Sequence, residues 1–348
     1  MAGIEPTRRL KVLLSYRAYS DGGNPYTALL SDALETVVSV THFSWRRALF
    51  GSYDVLHVHW PEQMIVASRR GLAVVKCFFA LILLLRLSLF DTKVVHTRHN
   101  RSPHEPVGFF ARFFIRSLDR RSSREAVMSE SELQQGRDQD LIKHGTYADW
   151  FDSCSSPGRI HSDSLESAEM QLLFFGLVRN YKQVPELVKV LRQSSIERFK
   201  FIVMGLPGSR ADRADVLAAV GDDSRFELRL KRFSDSELCA AAELTDVVVL
   251  PYRDPGNSGA VLTALALCCP VVVSDSASMR EIQMEVGPAW LQVVSRLEDV
   301  AEAVDSLRSS SAMRVGGPRF SGRDWTTIAQ QHLAFYLAAC SEERSPCE

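Results

Sequence analysis

The sequence predicts an α/β fold of two domains, each a mainly parallel sheet covered by helices. The chain has 348 residues, whereas ordinary domains contain roughly 100–200 residues, so two domains are expected. Short apolar runs rich in valine and aromatic residues alternate with segments of helical periodicity. Because helices separate successive strands, the strands are expected to pair in parallel through right-handed crossovers.

In the first half of the chain, short apolar runs indicate strands, and apolar spacing of three and four indicates helices. The predicted strands cover residues 10–15, 37–43, 54–60, 93–100 and 124–129, and the predicted helices cover 26–34 and 109–118. A loop with Gly, Asn and Pro at 21–25 follows the first strand. We expect the N-terminal domain to span residues 1–153.

The second half repeats this alternation. The predicted strands cover residues 171–175, 199–204, 225–230, 246–250 and 270–274, and the predicted helices cover 184–191, 210–220, 235–242 and 258–267. Residues 153–169, rich in Ser, Gly and Pro, are the predicted linker, and the second domain is expected at 170–322. An amphipathic helix at 325–340 is expected to pack back on the first domain. The two domains are expected to face each other across a cleft, with binding loops at the carboxyl ends of their strands.

Residues 72–90 form a long apolar stretch, LAVVKCFFALILLLRLSLF. Lys76 and Arg86 leave nine uncharged residues between them, and each central charge costs a spanning helix roughly 2.5–3.5 kcal/mol. A bilayer-spanning helix is therefore disfavoured. The alternatives are a buried crossover helix, or a helix docked in a membrane interface with Lys76, Arg86, Arg69 and Arg70 reaching the headgroups.

Charge and cysteine content suggest a compartment and a class of partner. Residues 1–150 carry 20 basic against 15 acidic residues, and residues 151–348 carry 21 against 27. A basic first half suits an anionic partner such as a membrane surface or a lipid phosphate, although an uneven scatter of solvated charge explains it equally well. The seven cysteines have no metal-like or disulfide-framework spacing, so free thiols in the cytoplasm are expected.

Two strand–loop–helix segments of the second half suit a diphosphate. Arg179 and Lys182 lie in the loop that follows the strand ending near Phe175. A diphosphate needs cations and free backbone donors, and such a loop offers both, although two solvated basic residues are the plainer explanation. The loop 254–259 precedes a helix that begins near Ser258, where backbone amides are expected to face an anion.

These segments, with the strand PVVVSD that follows, resemble the donor domain of GT-B glycosyltransferases, which consist of two Rossmann-like domains. The resemblance assigns donor binding to six residues: Arg179, Lys182, Tyr252, Asn257, Ser258 and Gly259. Many members of that group carry two glutamates seven residues apart in the region corresponding to 255–263. This chain has no glutamate there, which puts a retaining mechanism in doubt.

A narrower resemblance extends over nearly the whole chain. The segments DVLHVHWPE, VVHTRHNRSPHE, HGTYADWF, FGLVRNYK, LPYRDPGNSG, EVGPAW and RDW are similar to those of the bacterial GDP-mannose:glycolipid 4-β-mannosyltransferases of exopolysaccharide assembly. The resemblance implies GDP-mannose as donor and a polyprenyl-diphosphate-linked oligosaccharide as acceptor. It also implies inversion at the anomeric carbon.

An inverting transfer in one displacement needs a general base for the acceptor hydroxyl. Glu62 follows the third predicted strand and Glu105 lies beyond the fourth, so either is a candidate base. His99 is expected near the donor phosphate or the acceptor hydroxyl. The other residues assigned to the acceptor side are His57, His59, His104 and Asn24. Alternation along the strand places His57 and His59 on one face, although a histidine on a strand is more often structural than catalytic.

The remaining expectations concern cofactors, partners and competing functions. His96, His99 and His104 lack a helical pair of ligands, so no metal and no cofactor are expected. The predicted partners are a nucleotide sugar, a lipid-linked acceptor and a membrane surface, without nucleic acid, at the cytoplasmic face of the cell membrane. Two other functions stay open: a non-catalytic nucleotide-sugar-binding or assembly protein, and a sugar-nucleotide epimerase.

Overall fold

A computed structural model of the chain describes residues 8–20, 23–66, 70–99, 108–152, 154, 169–196, 198–310, 313 and 316–341. The fold separates into two compact units. Unit 1 contains residues 1–145 and 322–348, and unit 2 contains residues 146–321. Residues 146–152, which we assigned to the first domain from the sequence, therefore belong to unit 2.

Unit 1 is built on a six-stranded parallel sheet with helices between its strands. Its strands are β1 Lys11–Leu14, β2 Ser39–His42, β3 Val55–Val58, β4 Lys93–Thr97, β5 Ser122–Val127 and β6 Gln139–Leu141. The helices between them are α1 Pro25–Glu35, α2 Trp45–Phe50, α3 Pro61–Ile65, α4 Arg70–Leu89 and α5 Phe109–Asp119. The short elements α2, α3 and β6 were not predicted from the sequence.

The strand order in unit 1 creates a switch point. The order is β2-β1-β3-β4-β5-β6, so the chain grows to one side of β1 and then to the other. Strands β1 and β3 are neighbours, paired in register from Val12 with Val55 to Leu14 with His57. In open α/β sheets, ligands bind where the order reverses, beyond the carboxyl ends of the strands. The loops after β1 and β3 occupy that position in unit 1.

Unit 2 contains a second six-stranded parallel sheet. Its strands are β7 Met170–Phe175, β8 Phe199–Met204, β9 Phe226–Arg229, β10 Val247–Leu250, β11 Val271–Ser274 and β12 Leu291–Val294. Its helices are α6 Val184–Gln193, α7 Arg210–Val220, α8 Asp235–Glu243, α9 Gly259–Ala266, α10 Ala277–Val286 and α11 Val300–Ser309. The order β12-β11-β10-β7-β8-β9 places the switch point between β7 and β10.

Local sequence accounts for the elements of unit 2. Strand β10 has the sequence VVVL and is buried along its whole length, as expected for a parallel strand covered by helices on both faces. Helix α7 begins where the Ser209 side chain accepts from the backbone of Asp212. Helix α8 begins with a reciprocal capping pair, Ser234 and Glu237. Such caps satisfy backbone donors that the first helical turn leaves unpaired.

The last helix, α12 Trp325–Ser341, belongs to unit 1 and packs against α1, β4 and β5. The Tyr336 hydroxyl lies 2.7 Å from Nδ1 of His57, on β3. At the other end of the helix, Trp325 lies against Gly145. A Cβ atom at position 145 would lie 2.4 Å from the Trp325 ring, so the close approach requires glycine.

Helix α4 is a crossover helix between β3 and β4, and it is not buried all round. Gly71–Leu89 is long and apolar enough, by length and composition, to cross a membrane, and only 22% of that segment is buried inside the protein. The expectation that Arg86 reaches lipid headgroups is wrong. Its Nη2 donates to the Gly51 carbonyl at 2.7 Å, and its guanidinium lies 4.2 Å from the centre of the Tyr53 ring. Residue 69 lies outside the described residues.

The expectation that all cysteines are free is also wrong. Cys154 and Cys239 form a disulfide within unit 2, which joins the segment after β6 to helix α8. Cys77, Cys268 and Cys340 are free thiols. Because disulfides are rare in reducing compartments, the cysteines do not support the cytoplasmic expectation, which must rest on other observations.

Candidate active site

The loops after β7 and β10 lie together at one edge of the unit 2 sheet. The backbone N–H of Arg253 donates to the Tyr181 carbonyl at 2.9 Å, and Nη1 of Arg253 donates to Oδ1 of Asn180 at 3.2 Å. Nζ of Lys182 donates to the Tyr252 hydroxyl at 3.1 Å. The two loops proposed to share a diphosphate therefore meet at the switch point.

Lys182 is the buried cation of this edge. Only 8% of the residue is exposed, and its Nζ lies 4.5 Å from the centre of the Tyr252 ring and 5.7 Å from that of Phe174. Burial, reinforced by the charge of Arg179, lowers the pKa of Lys182 to about 8. A buried ammonium is costly without a compensating anion. A bound diphosphate would supply that compensation.

Glycines make room for the two cations. Gly176 has a φ of 110°, a conformation that glycine adopts without strain, and a Cβ there would lie 3.1 Å from Nζ of Lys182. At Gly208, a Cβ would lie 2.9 Å from Cγ of Arg179. The loop that carries Arg179 is joined to this glycine, because the Gly208 N–H donates to the Val178 carbonyl at 2.8 Å.

The predicted anion site at the start of α9 has the expected local geometry. Ser258 is the N-cap, and its side chain accepts from the backbone N–H of Val261. The loop before it is held by the Ser278 hydroxyl, which donates to the Gly256 carbonyl at 2.8 Å. Asn257 and Gly259 flank the cap. The first backbone N–H groups of a helix have no partner within it and suit an anion.

In unit 1, five side chains around the switch point form what we term the histidine–aromatic cluster. Its members are Tyr26, His59, Trp60, His99 and His144. His59 Nδ1 and His99 Nε2 are 2.9 Å apart. The His99 ring stacks on Trp60 with centroids 4.0 Å apart, and Tyr26 contacts the rings of both His99 and His144. The structure thus brings His59, directly after β3, and His99, after β4, into contact.

His57 lies deeper than the cluster. It shares a face of β3 with His59, and the two rings are 4.1 Å apart. Its Nδ1 lies 2.7 Å from the Tyr336 hydroxyl, and its Nε2 lies 2.7 Å from Oγ1 of Thr97. With both ring nitrogens bonded and no exposed surface, His57 has the environment of a structural histidine rather than of an acceptor contact.

The structure describes two of the four remaining residues predicted for the unit 1 site. Glu62 lies in the first turn of α3, directly beyond β3, and is half-buried. Asn24 is the N-cap of α1, and its side chain accepts from the backbone N–H of Tyr26 at 3.1 Å. This is a structural role for Asn24. Glu105 and His104 lie outside the described residues, and their proposed roles stay predictions.

Burial keeps the histidines of the cluster neutral. The pKa of His59 and of His99 is lowered well below the ordinary value, first by burial and then by neighbouring histidines. Burial also lowers the pKa of His144 to about 4, against an opposing hydrogen bond to the Gly145 carbonyl. No described group bonds to Nε2 of His59. A neutral imidazole has one ring nitrogen that accepts, so the cluster can accept a hydrogen bond from a hydroxyl group and orient it.

Sequence reasoning missed several residues of this cluster. Tyr26, Trp60 and His144 were not proposed as site residues, and neither was Arg323, whose Nη1 donates to the His144 carbonyl at 3.0 Å. The available signal was the position of HGTYADWF and RDW among the segments shared with the mannosyltransferases. In the described part of the chain, no group of three or more His, Cys, Asp or Glu side chains is placed to hold a metal ion.

Comparison with known proteins finds relatives over almost the whole chain. A model of the family "Glycosyl transferases group 1" matches residues 169–310. Two proteins of Xanthomonas campestris pv. campestris, each named GDP-mannose:glycolipid 4-β-D-mannosyltransferase, are 35% and 34% identical to the chain over 342 residues. The match covers 96% of this chain and 94% of each relative.

Solved structures of low sequence identity share the fold. The catalytic domain of starch synthase IV from Arabidopsis thaliana aligns with a TM-score of 0.66 at 10% identity, covering 97% of this chain and 100% of that one. Sucrose-phosphate synthase from Thermosynechococcus elongatus aligns at 0.61 and 15% identity, covering 96% of each chain. HepE from Anabaena, in complex with UDP-glucose, aligns at 0.61 and 15% identity, covering 95% and 100%.

Proposed function

The chain belongs to the glycosyltransferase family of the Xanthomonas GDP-mannose:glycolipid mannosyltransferases, and we propose that it transfers mannose from GDP-mannose to a polyprenyl-diphosphate-linked oligosaccharide. The family resemblance, the GT-B fold of two Rossmann-like domains and the glycosyltransferase activity predicted from the sequence are thereby confirmed. Donor identity, acceptor chemistry, inversion and a role in exopolysaccharide synthesis are the proposed part. The names of the two relatives support the donor and the glycolipid acceptor.

The observation that carries the proposal is the buried Lys182 at the switch point of unit 2. Its ammonium group has three donors, and one of them points to the Tyr252 hydroxyl. In the proposed complex, Lys182 and Arg179 bind the diphosphate of the donor, with the amides of Asn257, Ser258 and Gly259 at the start of α9. As the bond to mannose breaks, negative charge grows on the diphosphate, and these groups stabilise it.

The proposed chemistry is a single inverting displacement. The acceptor hydroxyl attacks the anomeric carbon of mannose, the bond to the diphosphate oxygen breaks, and GDP leaves with the bonding electrons. A general base, Glu62 or Glu105, takes the hydroxyl proton. Glu62 suits this task because it lies in the first turn of α3, directly beyond β3 and two residues after Trp60 of the histidine–aromatic cluster. The lack of a glutamate at 255–263 agrees with a mechanism without a carboxylate nucleophile there.

We further propose that transfer takes place at the cytoplasmic face of the cell membrane, with the enzyme bound peripherally. A polyprenyl-linked acceptor is held in a membrane, so the enzyme must reach a membrane surface. The basic balance of residues 1–150 favours contact with anionic lipid headgroups.

The test is GDP release from GDP-mannose by the purified full-length chain, with and without a lipid-linked oligosaccharide acceptor. Acceptor-dependent release of GDP, with a β-linked mannosyl product, is the expected result. If the protein binds GDP but forms no GDP from GDP-mannose when acceptor is present, it is a binding or assembly protein. Isomerisation of the nucleotide sugar without acceptor would indicate an epimerase. Either outcome would contradict the proposal.

A further inference from the structure

Helix α4 is apolar on two opposite faces. Its inner face packs into the core of unit 1 through four buried residues, Ala80, Leu83, Leu84 and Leu87. These side chains pack with residues of β3 and of α5 in the same core. A helix that only covers a sheet needs no second apolar face, because its outer side is normally polar.

The outer face of α4 carries an exposed apolar stripe. We define the outer stripe as Val74, Phe78, Leu81, Leu85 and Leu89, which are 70%, 60%, 46%, 59% and 71% exposed. Their spacing of four, three, four and four residues places them along one side of the helix. Soluble monomers rarely expose so continuous an apolar surface without a function for it.

Two charged side chains of α4, those of Lys76 and Arg86, bond to other parts of unit 1. Nζ of Lys76 donates to the Val66 carbonyl, and Arg86 turns toward Gly51 and Tyr53. These contacts anchor both cations to the body of unit 1. Neither of these two cations is therefore directed to the outer stripe.

Neighbouring helices of unit 1 carry further exposed apolar residues and positive charge. Helices α2 and α5 pack against α4, and they add Phe50, which is 82% exposed, and Phe109, which is 89% exposed. The basic residues of α2 and α5 are Arg46, Arg47, Arg112 and Arg116. In the sequences of α2, α4 and α5, Asp119 is the one acidic residue.

We propose that the outer stripe docks unit 1 on a lipid bilayer with anionic headgroups, with α4 lying in the plane of the interface. Exposed apolar side chains on α4, together with exposed arginines on the adjoining helices α2 and α5, match the chemistry of such a surface. Helix α4 does not cross the bilayer, because its inner face is part of the core. A second copy of this chain suits the stripe less well, since a symmetric contact would bring the same arginines together.

The inference deepens the proposed function and rests on it in one respect: a membrane-held acceptor gives the docking its purpose. The docking itself is a binding event that is measured without acceptor. Its outcome is therefore separable from that of the transferase reaction.

The decisive variant places charge on the stripe without touching the core. In flotation with vesicles of phosphatidylcholine and phosphatidylglycerol, the chain is expected to float, and a double variant Phe78→Glu, Leu85→Glu is expected to lose at least about tenfold in vesicle partition. The matched control is Leu217→Glu with Met284→Glu, two exposed apolar residues of unit 2. The control should float like the unchanged chain.

A second pair of variants tests the charge. Arg116→Gln, in α5, and Arg120→Gln, at the residue that follows α5, change two exposed arginines. Each should weaken partition into the anionic vesicles by about fivefold. The same variants should partition into pure phosphatidylcholine vesicles as the unchanged chain does. High salt should remove the difference between the two vesicle types.

Three results would overturn the inference. One is equal flotation of the stripe variant and the unchanged chain. Another is no flotation at all. The third is that the unchanged chain is a dimer without lipid, by light scattering, whereas the stripe variant is a monomer. That result would assign the stripe to contact with a second copy. Binding of GDP-mannose, measured by thermal shift, tests the proposed function separately. If the unchanged chain failed to bind GDP-mannose, the proposed function would fail while the flotation result still held.

Discussion

The two switch points of this enzyme are built differently. In unit 2, the switch point uses two loops that each follow a strand directly. It presents two cations, Arg179 and Lys182, and the backbone N–H groups at the start of α9. In unit 1, it uses aromatic rings and neutral histidines that come from separate strand ends. The last helix lies behind them, where Tyr336 bonds to His57. One site is suited to an anion by charge, and the other is suited to a hydroxyl group by neutral acceptors.

The difference teaches how burial changes the meaning of an ionisable residue. Burial lowers the pKa of Lys182 only to about 8, so the ammonium remains mostly protonated at neutral pH. Burial lowers the pKa of His144 to about 4, so the imidazole is uncharged at the same pH. The same physical cause therefore leaves a cation in unit 2 and a neutral acceptor in unit 1.

Removing the general base, which we place in unit 1, should have the largest effect on activity. If Glu62 is the base, Glu62→Gln should lower kcat by about a hundredfold to ten-thousandfold, because the acceptor hydroxyl keeps its proton. Glu105→Gln tests the alternative in the same assay. Glu35→Gln, on the exposed end of α1, is the control and should keep full activity. If both test variants keep the unchanged kcat with intact folding, neither residue is the base.

Removing the buried cation Lys182 of unit 2 should have the next largest effect on activity. Lys182→Met keeps most of the aliphatic stem and removes the charge. It should lower kcat/KM for GDP-mannose by about a hundredfold to a thousandfold, because charge on the leaving diphosphate loses a buried partner. Lys189→Met, exposed on α6, should change neither constant. Donor kinetics of Lys182→Met equal to those of the unchanged chain would remove Lys182 from the site.

A glycine substitution tests whether unit 1 depends on its last helix. Gly145→Ala should destabilise the protein by about 1–3 kcal/mol, because the new Cβ meets the Trp325 ring and packed side chains must shift. Gly71→Ala is the control, since nothing lies within 4 Å of a Cβ there. Urea unfolding measures both. Equal free energies of unfolding for the two variants would mean that the Trp325 ring moves to accommodate the new Cβ without loss of stability.

The effect that builds up most gradually is a difference in acid stability between the units. His144 and His332 have a pKa of about 4 in the folded chain and an ordinary value of 6.5, so the unfolded chain binds protons first as the pH falls. Unit 1 should lose about 1.4 kcal/mol per pH unit for each such histidine between pH 6.5 and about 4. In unit 2, Lys182 titrates above this pH range, and the groups with a lowered pKa in the acid range are carboxylates such as Asp223 and Glu227. Their contribution to stability is lost only below their ordinary pKa.

Hydrogen exchange read by mass spectrometry, corrected for the intrinsic pH dependence, follows the two units separately. The expected result is that protection in unit 1 falls between pH 6.5 and 5 while protection in unit 2 is unchanged. Parallel loss in both units would show that the histidines do not set the acid stability of unit 1.

Much of the fold was predictable because apolar periodicity reports burial. Strands such as β7, β8 and β10 were predicted from their runs of apolar residues, which the structure buries, and the fold class followed from their alternation with helices. The elements α10, β12 and α11 were not predicted, although the buried positions of α11 have helical spacing. The cysteine expectation failed for a different reason: Cys154 and Cys239 are 85 residues apart, and only folding brings them together.

The sequence by itself determined the order of strands and helices and the position of Arg179 and Lys182 after a strand. It also determined the family, since all of these are carried by residues close together along the chain. The tertiary structure decided that Lys182 is buried beneath Tyr252, that Arg86 turns inward and that the outer stripe is exposed. It also decided that His57 is a structural residue. Burial and pairing depend on groups distant in sequence, such as His57 and Tyr336, and no local pattern specifies them.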